Sequence, residues 1–510
     1  MSLNSALSIA SSGLGAVQYQ LSVASQNIAN ASTAGYVAET AAVSSRTASG
    51  QSSGVVTGLT SRVVDNALQQ SLYSQNAQVA SFTATQNALA PIGALQGSTS
   101  ADAGGSGTLA DLAGNLKTAL IALQASPSSA IQQATTVAAA DSLADKIQAT
   151  SSAYQTARQS AQDAVVAGVD SVNKGLQLIG TLSDQIMAIR SRGLSSADLE
   201  NQRAAAMDTL SGDLSVHFTE TSTGDMLVST DDGLVLPTRP AQGELDTSNA
   251  VVGIGDTHPG TIPGVILNGR DVTGSLAGGG LGAQLVLRDQ TLPTMQAELD
   301  SFASTMSSRF AAQGLTLFTG AAGAPAGTDP TVLAPNGQVG FAATIQVDPD
   351  VKQNPALLRD GNVTVAGSAQ GATAFTPGYT TADSTTLLNR LVNYAMGAQV
   401  QAGVTQPSVA SSGLGLSGTL SWPSAATGDV ANLASLLAAA QASTIGAAAS
   451  GLSGATDMQT ALRSRVSAVS DVSVDKEMAN VVALQNAYSA NAKVISTVQT
   501  MFSALLSAIN

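Results

Sequence analysis

Two glycine-rich motifs and two histidines are the places where this sequence could do chemistry. Gly50-Gln51-Ser52-Ser53-Gly54 matches G-x-S-x-G, the pattern in which a strained strand-to-helix turn lifts a nucleophilic serine into a hydrolase site. It lies within 44–58, a stretch of Ser, Thr and Gly that reads as a loop, without the buried strand and following helix that such an elbow needs. Gly413-Leu414-Gly415-Leu416-Ser417-Gly418 matches the dinucleotide-binding pattern, but Trp422-Pro423 stands where the phosphate-binding helix would run. No Gly is followed by Lys, so a P-loop is absent. His217 falls in a predicted strand and His258 in a Gly/Pro-rich loop, too few for a histidine metal site. With no cysteine there is no thiolate nucleophile and no thiolate metal ligand. The carboxylates are scattered and read as solvated surface groups rather than as an acid–base pair. The sequence therefore assigns no catalytic, cofactor-binding or metal-ligating residue and expects no enzyme and no cofactor.

Composition narrows the partners. Lys and Arg number 20 against 34 Asp and Glu, a net charge of -14, which disfavours nucleic acid because no basic patch could dominate the field. Only 11% of the 510 residues are charged, where a soluble domain carries roughly 25%. The surfaces are thus expected to be covered by something other than water. At roughly 150 residues per domain, the length suggests about three domains. Residues 1–38 contain no charged side chain, so the basic region of a cleavable secretory signal is missing. No run approaches the roughly 18 apolar residues of a membrane span. The expectation is a chain that is cytoplasmic, or exported by a route that reads no cleavable signal, and that has no membrane partner.

The apolar periodicity points to helices at both ends. Leu3, Leu7, Ala10, Leu14, Val17, Leu21, Ala24 and Ile28 alternate steps of four and three, a heptad seam on an uncharged helix. Asn30 can end that helix, and Gly35 can supply a positive φ in the turn before Tyr36. At the other end Val474, Met478, Val481, Leu484, Tyr488, Ala492, Ile495, Val498, Phe502, Leu505 and Ile509 repeat with a mean spacing of 3.5. From Met478 onward the only charge is Lys493, and Asp475 and Glu477 suit the first helical turn. Two uncharged seams can bury each other, antiparallel or parallel. Periodicity alone also fits two core helices of a monomer.

Between the ends, 128–190 predicts a long helix, continuous or broken once, with Gly168, Gly175 and Gly180 weakening its continuity. Ser195 with Asp198 reads as a capping box opening a helix through Leu199, Met207 and Leu210. Helices are also expected over 62–89 and 292–310. Between 215 and 287 the period changes. Val216–Glu220 and Met226–Ser229 flank a hairpin turn, Asp232-Gly233 introduces Leu234–Leu236, and Asn268-Gly269 marks another tight turn. The fold class expected is mainly α: a terminal coiled-coil helix pair and a helical bundle shaft with inserted small β domains. The predicted units are 1–45 with 470–510, then 46–212 with 288–317 and 382–469, an inserted β domain at 213–287, and a second mixed insert at 318–381.

Ser12-Gly13-Leu14, Ala16, Gln18, Leu21, Ser25, Asn27-Ile28-Ala29-Asn30, Thr33 and Gly35-Tyr36 together resemble the N-terminal signature of bacterial flagellar axial proteins. The run from Val481 to Ile495, with Leu484-Gln485-Asn486-Ala487-Tyr488 at its centre, resembles their C-terminal signature. Asp198-Leu199-Glu200-Asn201-Gln202-Arg203 and Leu281–Asp289 followed by Leu292-Pro293 are similar to the hook-associated protein 1 family of hook–filament junction proteins. The resemblance implies a structural subunit of the extracellular flagellum that serves motility. It implies export through the flagellar type III channel, with an export chaperone near the C-terminal helix. It also implies the hook protein, a second junction protein and further copies of itself as partners. The residues it assigns to assembly are Leu7, Leu14, Val17, Leu21, Asn27, Ile28, Asn30, Gly35 and Tyr36, with Val474, Met478, Val481, Leu484, Tyr488, Ile495, Val498, Phe502 and Leu505. The competing readings are another axial subunit of hook or distal rod, and a secreted enzyme whose site lies in 318–381, an insert without histidine.

Overall fold

In the computed structural model the described residues are 3–33, 35–48, 51–97, 107–326, 338–378, 381, 383–425 and 427–507. The chain opens with α1 (Leu3–Asn30), followed by β1 (Glu39–Thr40), β2 (Val43–Ala48), β3 (Gln51–Thr57) and β4 (Ser61–Arg62). β1 pairs antiparallel with β4, bracketing a β2–β3 hairpin that packs on α1. The expected loop over 44–58 is therefore a hairpin. Its strands are polar on both faces, so the alternation that betrays a half-buried strand is missing. Gly50 lies outside the described residues, and the rest of that motif is strand with no helix behind it.

The next helix, α2 (Asn66–Gln96), starts later than expected because Arg62 is held in β4 and Asp65 caps the helix, accepting from the N–H groups of Ala67 and Leu68 at 3.0 and 3.1 Å. It runs on through Pro91. Then come α3 (Leu109–Ala125), α4 (Ala130–Arg190) and α5 (Ala197–Asp213). The capping box expected at Ser195 does not form. Ser196 is the cap, and its hydroxyl donates to Glu200 at 2.6 Å. A full box closes instead at Thr108 and Asp111, opening α3.

With 61 residues, α4 is the spine, about 90 Å long at 1.5 Å per residue. Its first half supplies Leu143, Ile147 and Tyr154 to one core, and its second half supplies Val165, Val172 and Ile179 to another. The helix is unbroken, and its glycines are points of close approach. A Cβ on Gly168 or Gly175 would meet Leu281 or Leu210 at 3.2–3.3 Å. One on Gly180 would fall 2.0 Å from the carbonyl oxygen of Thr238.

The second core is closed by β5 (Val216–Glu220), β6 (Met226–Thr230) and β7 (Val235–Leu236), and by β8 (Leu245–Asp246), β9 (Ile266–Leu267) and β10 (Arg270–Asp271). The expected β5–β6 hairpin forms, with Glu220 opposite Met226. Asn268 and Gly269 have φ of 51° and 79°, the positive pair that a two-residue hairpin needs. α6 (Gly279–Val286), whose Leu281 and Leu285 are buried in this second core, continues through a π-helical turn at Leu287–Thr291 into α7 (Leu292–Gln313).

Beyond α7 lie β11 (Phe318–Thr319), α8 (Phe341–Thr344), β12 (Gln346–Val347), α9 (Pro349–Gln353) and α10 (Leu357–Asp360). Phe318, Phe341, Val347 and Leu358 from this mixed stretch are buried in the same core as α3, α7 and the first half of α4. After α11 (Thr386–Arg390), β13 (Gln399–Gln401) and β14 (Val404–Thr405), the Gly413–Gly418 motif forms a tight turn closed by bridge pairing of Leu414 and Leu420. Trp422 behind it is fully buried, so no phosphate-binding helix follows. Two long helices finish the chain, α12 (Val430–Ser470) against α2 and α13 (Val474–Ser507) against α1.

Candidate assembly surface

Asn27 organises the joint between the terminal helices and the shaft. It is 1% exposed and fills all four of its hydrogen-bonding positions. Its Nδ2 donates to the carbonyl of Glu39 at 2.9 Å and to Glu477 Oε1 of α13 at 3.2 Å. Its Oδ1 accepts from the Glu39 N–H at 2.9 Å and from the Tyr36 hydroxyl at 3.0 Å. Ala38 and Val63 bond to each other across β1 and β4, so the polar groups of Glu39 point the other way, toward α1. The Asn27 amide takes the place of a further strand. Asn30 closes the helix by donating to the Gln26 carbonyl at 3.1 Å, and Gly35 turns the chain at φ 76°. The Ala38 N–H then donates to the Ser470 carbonyl at the end of α12, at 2.7 Å.

This joint carries charge that the sequence reading placed on the surface. Glu39 is 7% exposed, and one carboxylate oxygen has no hydrogen-bond partner. Burial, reinforced by Asp198 and opposed by Arg62, pushes its carboxyl up to about 7. Tyr36 is pushed up to about 12, mainly by burial and then by Glu39. Arg62 donates to Asn201 of α5 at 2.7 Å, and Gln26 of α1 donates to Asp198 at 3.1 Å. The 198–203 run is thus where the shaft meets the termini. Arg203, 2% exposed, extends it with a 2.8 Å ion pair to Glu220 of β5. Sequence reasoning missed Glu39, although the first charge after 38 uncharged residues is its signal.

The terminal pair is antiparallel. Asn27 reaches Glu477 while Gly13 faces Asn491, fourteen residues along each helix in opposite directions. On α1, Val17 and Asn27 are buried and Leu7, Leu14, Leu21, Ile28, Asn30 and Tyr36 half-buried, while Gly35 is exposed. On α13, Val498 is buried and Val481, Leu484, Ile495 and Phe502 are half-buried. The expected stripe departs at Val474, Met478, Tyr488 and Leu505, which are exposed by 38–51%, and at Ala492, also exposed, while Ile509 lies outside the described residues. Leu505 extends beyond the start of α1, and the inward position near Tyr488 is taken by the smaller Ala487. Val482, Val494, Met501 and Leu506 are also 46–64% exposed, so α13 has apolar residues on two sides. An 18-residue window within 430–507 reaches a mean hydropathy of 1.3, long and apolar enough to cross a membrane by composition. The same composition suits an interhelical seam.

The two histidines each lie beside a carboxylate. His217 lies 3.1 Å from Asp231, and His258 lies 3.0 Å from Asp271. Among the described residues no group of three His, Asp or Glu side chains could hold a metal ion. Two more carboxylates expected on the surface are buried. Burial pushes Asp300 and Glu298 up to about 7, although Asp300 accepts from the N–H groups of Gly340 and Ala342. They serve as internal polar fasteners.

Comparison with known proteins follows the same division of the chain. Residues 101–325 match the family model for the helical domain of flagellar hook-associated protein FlgK. Residues 7–36 match the flagella basal body rod protein model, and 464–508 the C-terminal model of flagellar basal body rod FlgEFG proteins. No curated protein matches the chain. Among solved structures, the flagellar hook junction protein FlgK from Burkholderia pseudomallei is similar at 24% identity and a TM-score of 0.40, over 50% of this chain and 45% of that one. The chain thus spans less than half the length of that protein. Rod-type sequence is thus confined to the regions that form the packed terminal pair, and between them lies sequence similar to the helical domain of flagellar hook-associated protein FlgK, which supports an axial structural subunit of the flagellum.

Proposed function

We propose that the protein joins hook to filament by packing its terminal helix pair against the pairs of neighbouring subunits, and that it has no catalytic role. The observation that supports this most directly is the apolar surface that α13 leaves uncovered by α1. Met478, Val482, Val494, Met501, Leu505 and Leu506 are exposed on a helix whose only charge after Met478 is Lys493. A monomer gains nothing from such residues on its surface, whereas neighbours would bury them at about 25 cal/mol per Å² of apolar area. Leu7, Leu14, Val17, Leu21, Ile28, Val481, Leu484, Ile495, Val498 and Phe502 hold the pair together in this reading. Asn27, Asn30, Gly35 and Tyr36 set its exit toward the shaft, and Val474, Met478, Tyr488 and Leu505 face neighbours. The partners are the hook protein, a second junction protein and other copies of this chain. Type III export, with a chaperone on the C-terminal region, delivers the subunit to the extracellular flagellum.

The test uses Val482→Asp and Met501→Asp. Both positions are exposed, so the purified subunit should unfold at the wild-type temperature. Added to hooks that lack this protein, which bypasses export, both variants should fail to bind. Binding equal to wild type removes this face from assembly. Antibody labelling confined to the hook–filament boundary supports the junction, whereas label along the whole hook assigns a hook subunit instead.

A further inference from the structure

A cavity of about 440 Å³ lies between α7 and the segment 400–410, apart from the terminal helices. Its α7 wall presents Thr305, Ser308, Arg309, Ala312 and Gln313, which share one helix face by their three- and four-residue spacing. Ala372, Val400 and Pro407 are among the residues of the opposite wall, and among the described residues no acidic side chain lines the space.

Two of the lining side chains are deeply buried and incompletely bonded. Arg309 is 5% exposed. Its Nη1 donates to the carbonyls of Gly428 at 2.8 Å and Gly397 at 3.5 Å, while its Nη2 has no acceptor. Burial lowers the guanidinium to about 10, so it is still a cation at neutral pH. The acid that acts on it, Asp429, accepts from the Asn432 N–H at 2.7 Å as the cap of α12. Gln313 is 1% exposed. Its Nε2 donates to the Val400 carbonyl at 2.9 Å, while its Oε1 has no donor. One wall thus holds an unused charged donor and, one helical turn on, an unused acceptor, in a chain whose net charge is -14. Leaving such groups unbonded costs free energy, which a ligand of matching polarity would recover.

We propose that this cavity binds a carboxylate with an adjacent N–H donor, the chemistry shared by an N-acyl amino acid and a polypeptide C-terminus. The carboxylate accepts from Arg309 and the N–H donates to Gln313. The short side chain lies against Ala372, Val400 and Pro407. A carboxylate alone satisfies only Arg309, and a neutral amide only Gln313.

Isothermal titration of the full-length protein in low-chloride buffer with N-acetylalanine tests this. Saturable binding is expected, weakened about 10- to 100-fold for N-acetylalanine methyl ester, which keeps the N–H and loses the charge. Propionate, which keeps the charge and loses the N–H, should bind several-fold more weakly. Arg309→Met should abolish binding. Ser308→Glu, an exposed position at the rim, leaves Arg309 in place and should weaken binding by repulsion without altering the unfolding temperature. A free-ended Ac-Gly-Ala peptide that binds more tightly than N-acetylalanine assigns a chain terminus, and equal affinity assigns a free acyl amino acid. The proposal is overturned if wild type shows no saturable binding, if the ester binds as well as the acid, or if both variants bind like wild type.

Discussion

Replacing Asn27 by alanine isolates the joint between the terminal pair and the shaft. The substitution removes four hydrogen bonds, and they are not equivalent. Tyr36 and Glu477 are half-buried, so their side chains can turn to water. The N–H and carbonyl of Glu39 cannot, because that residue is 7% exposed and its backbone groups face α1 rather than β4. Two stranded backbone groups at roughly 1–3 kcal/mol each give a local cost of about 2–6 kcal/mol. The shaft has cores of its own, so this cost should appear as local opening and not as a lower global unfolding temperature. Hydrogen exchange read at the Glu39 amide should therefore accelerate at least about 30-fold and up to about 20,000-fold, with the amides of α4 unchanged. Asn27→Asp keeps the acceptor for Glu39 and Tyr36, loses the donor, and sets a carboxylate between Glu39 and Glu477. It should be at least as damaging at pH 8 and recover toward pH 5. An acceleration below about threefold at Glu39 in Asn27→Ala would refute the claim that this amide completes the β1 edge.

Three further outcomes follow from single positions. Glu39 is raised from 4.5 to about 7 in the folded chain, so the folded state holds its proton more tightly than the unfolded one. Stability of the joint should be fully present below about 4.5, decline as pH rises through 7 and then level off, and in Glu39→Gln hydrogen exchange at the joint should lose that slope. Gly180→Ala must displace the Thr238 backbone and should cost roughly 1–3 kcal/mol in thermal unfolding, while Gly114→Ala in α3, with open space around it, should gain up to about 1 kcal/mol. The reverse order would mean that the close approach to α4 is not held in solution. Gly35→Val at φ 76° should speed exchange at Tyr36 and lower junction binding, since a β-branched residue resists positive φ. Normal exchange and binding would remove this turn from the joint.

The long helices α1, α4 and α13 were legible because their apolar spacing persists for many turns, whereas α12 (Val430–Ser470) was not read as a helix. The glycines of α4 misled only about continuity. A glycine inside a helix reads as weakness until the element it admits is known, and Leu281, Leu210 and Thr238 are 35–113 residues away in sequence. The β2–β3 hairpin was illegible for the opposite reason, since polar strands against an uncharged helix leave no alternation to read. The π-helical turn at Leu287–Thr291, which joins α6 to α7, likewise has no period of its own. Of the joint, Asn27, Asn30, Gly35 and Tyr36 stood out by type and order. Glu39, Arg62 and Asp198 did not, because their roles depend on β1, β4 and α5 meeting at one place.

The C-terminal stripe shows the limit of a period as a reading of contact. A 3.5-residue repeat selects positions along one line of a helix but not the object facing that line. Val481, Leu484, Ile495, Val498 and Phe502 are covered by α1. Val474, Met478, Tyr488 and Leu505 belong to the same stripe yet are exposed, and Val482, Val494 and Met501 lie off it, at positions that a two-helix pair would normally make polar. Width therefore carries information that period does not. Two helices need one seam, and α13 has apolar residues well beyond one seam, with almost no charge to keep them soluble. A surface of that kind is expected when each helix has more than one neighbour, so the excess over a single seam is the part of the sequence that concerns assembly rather than the fold of one subunit.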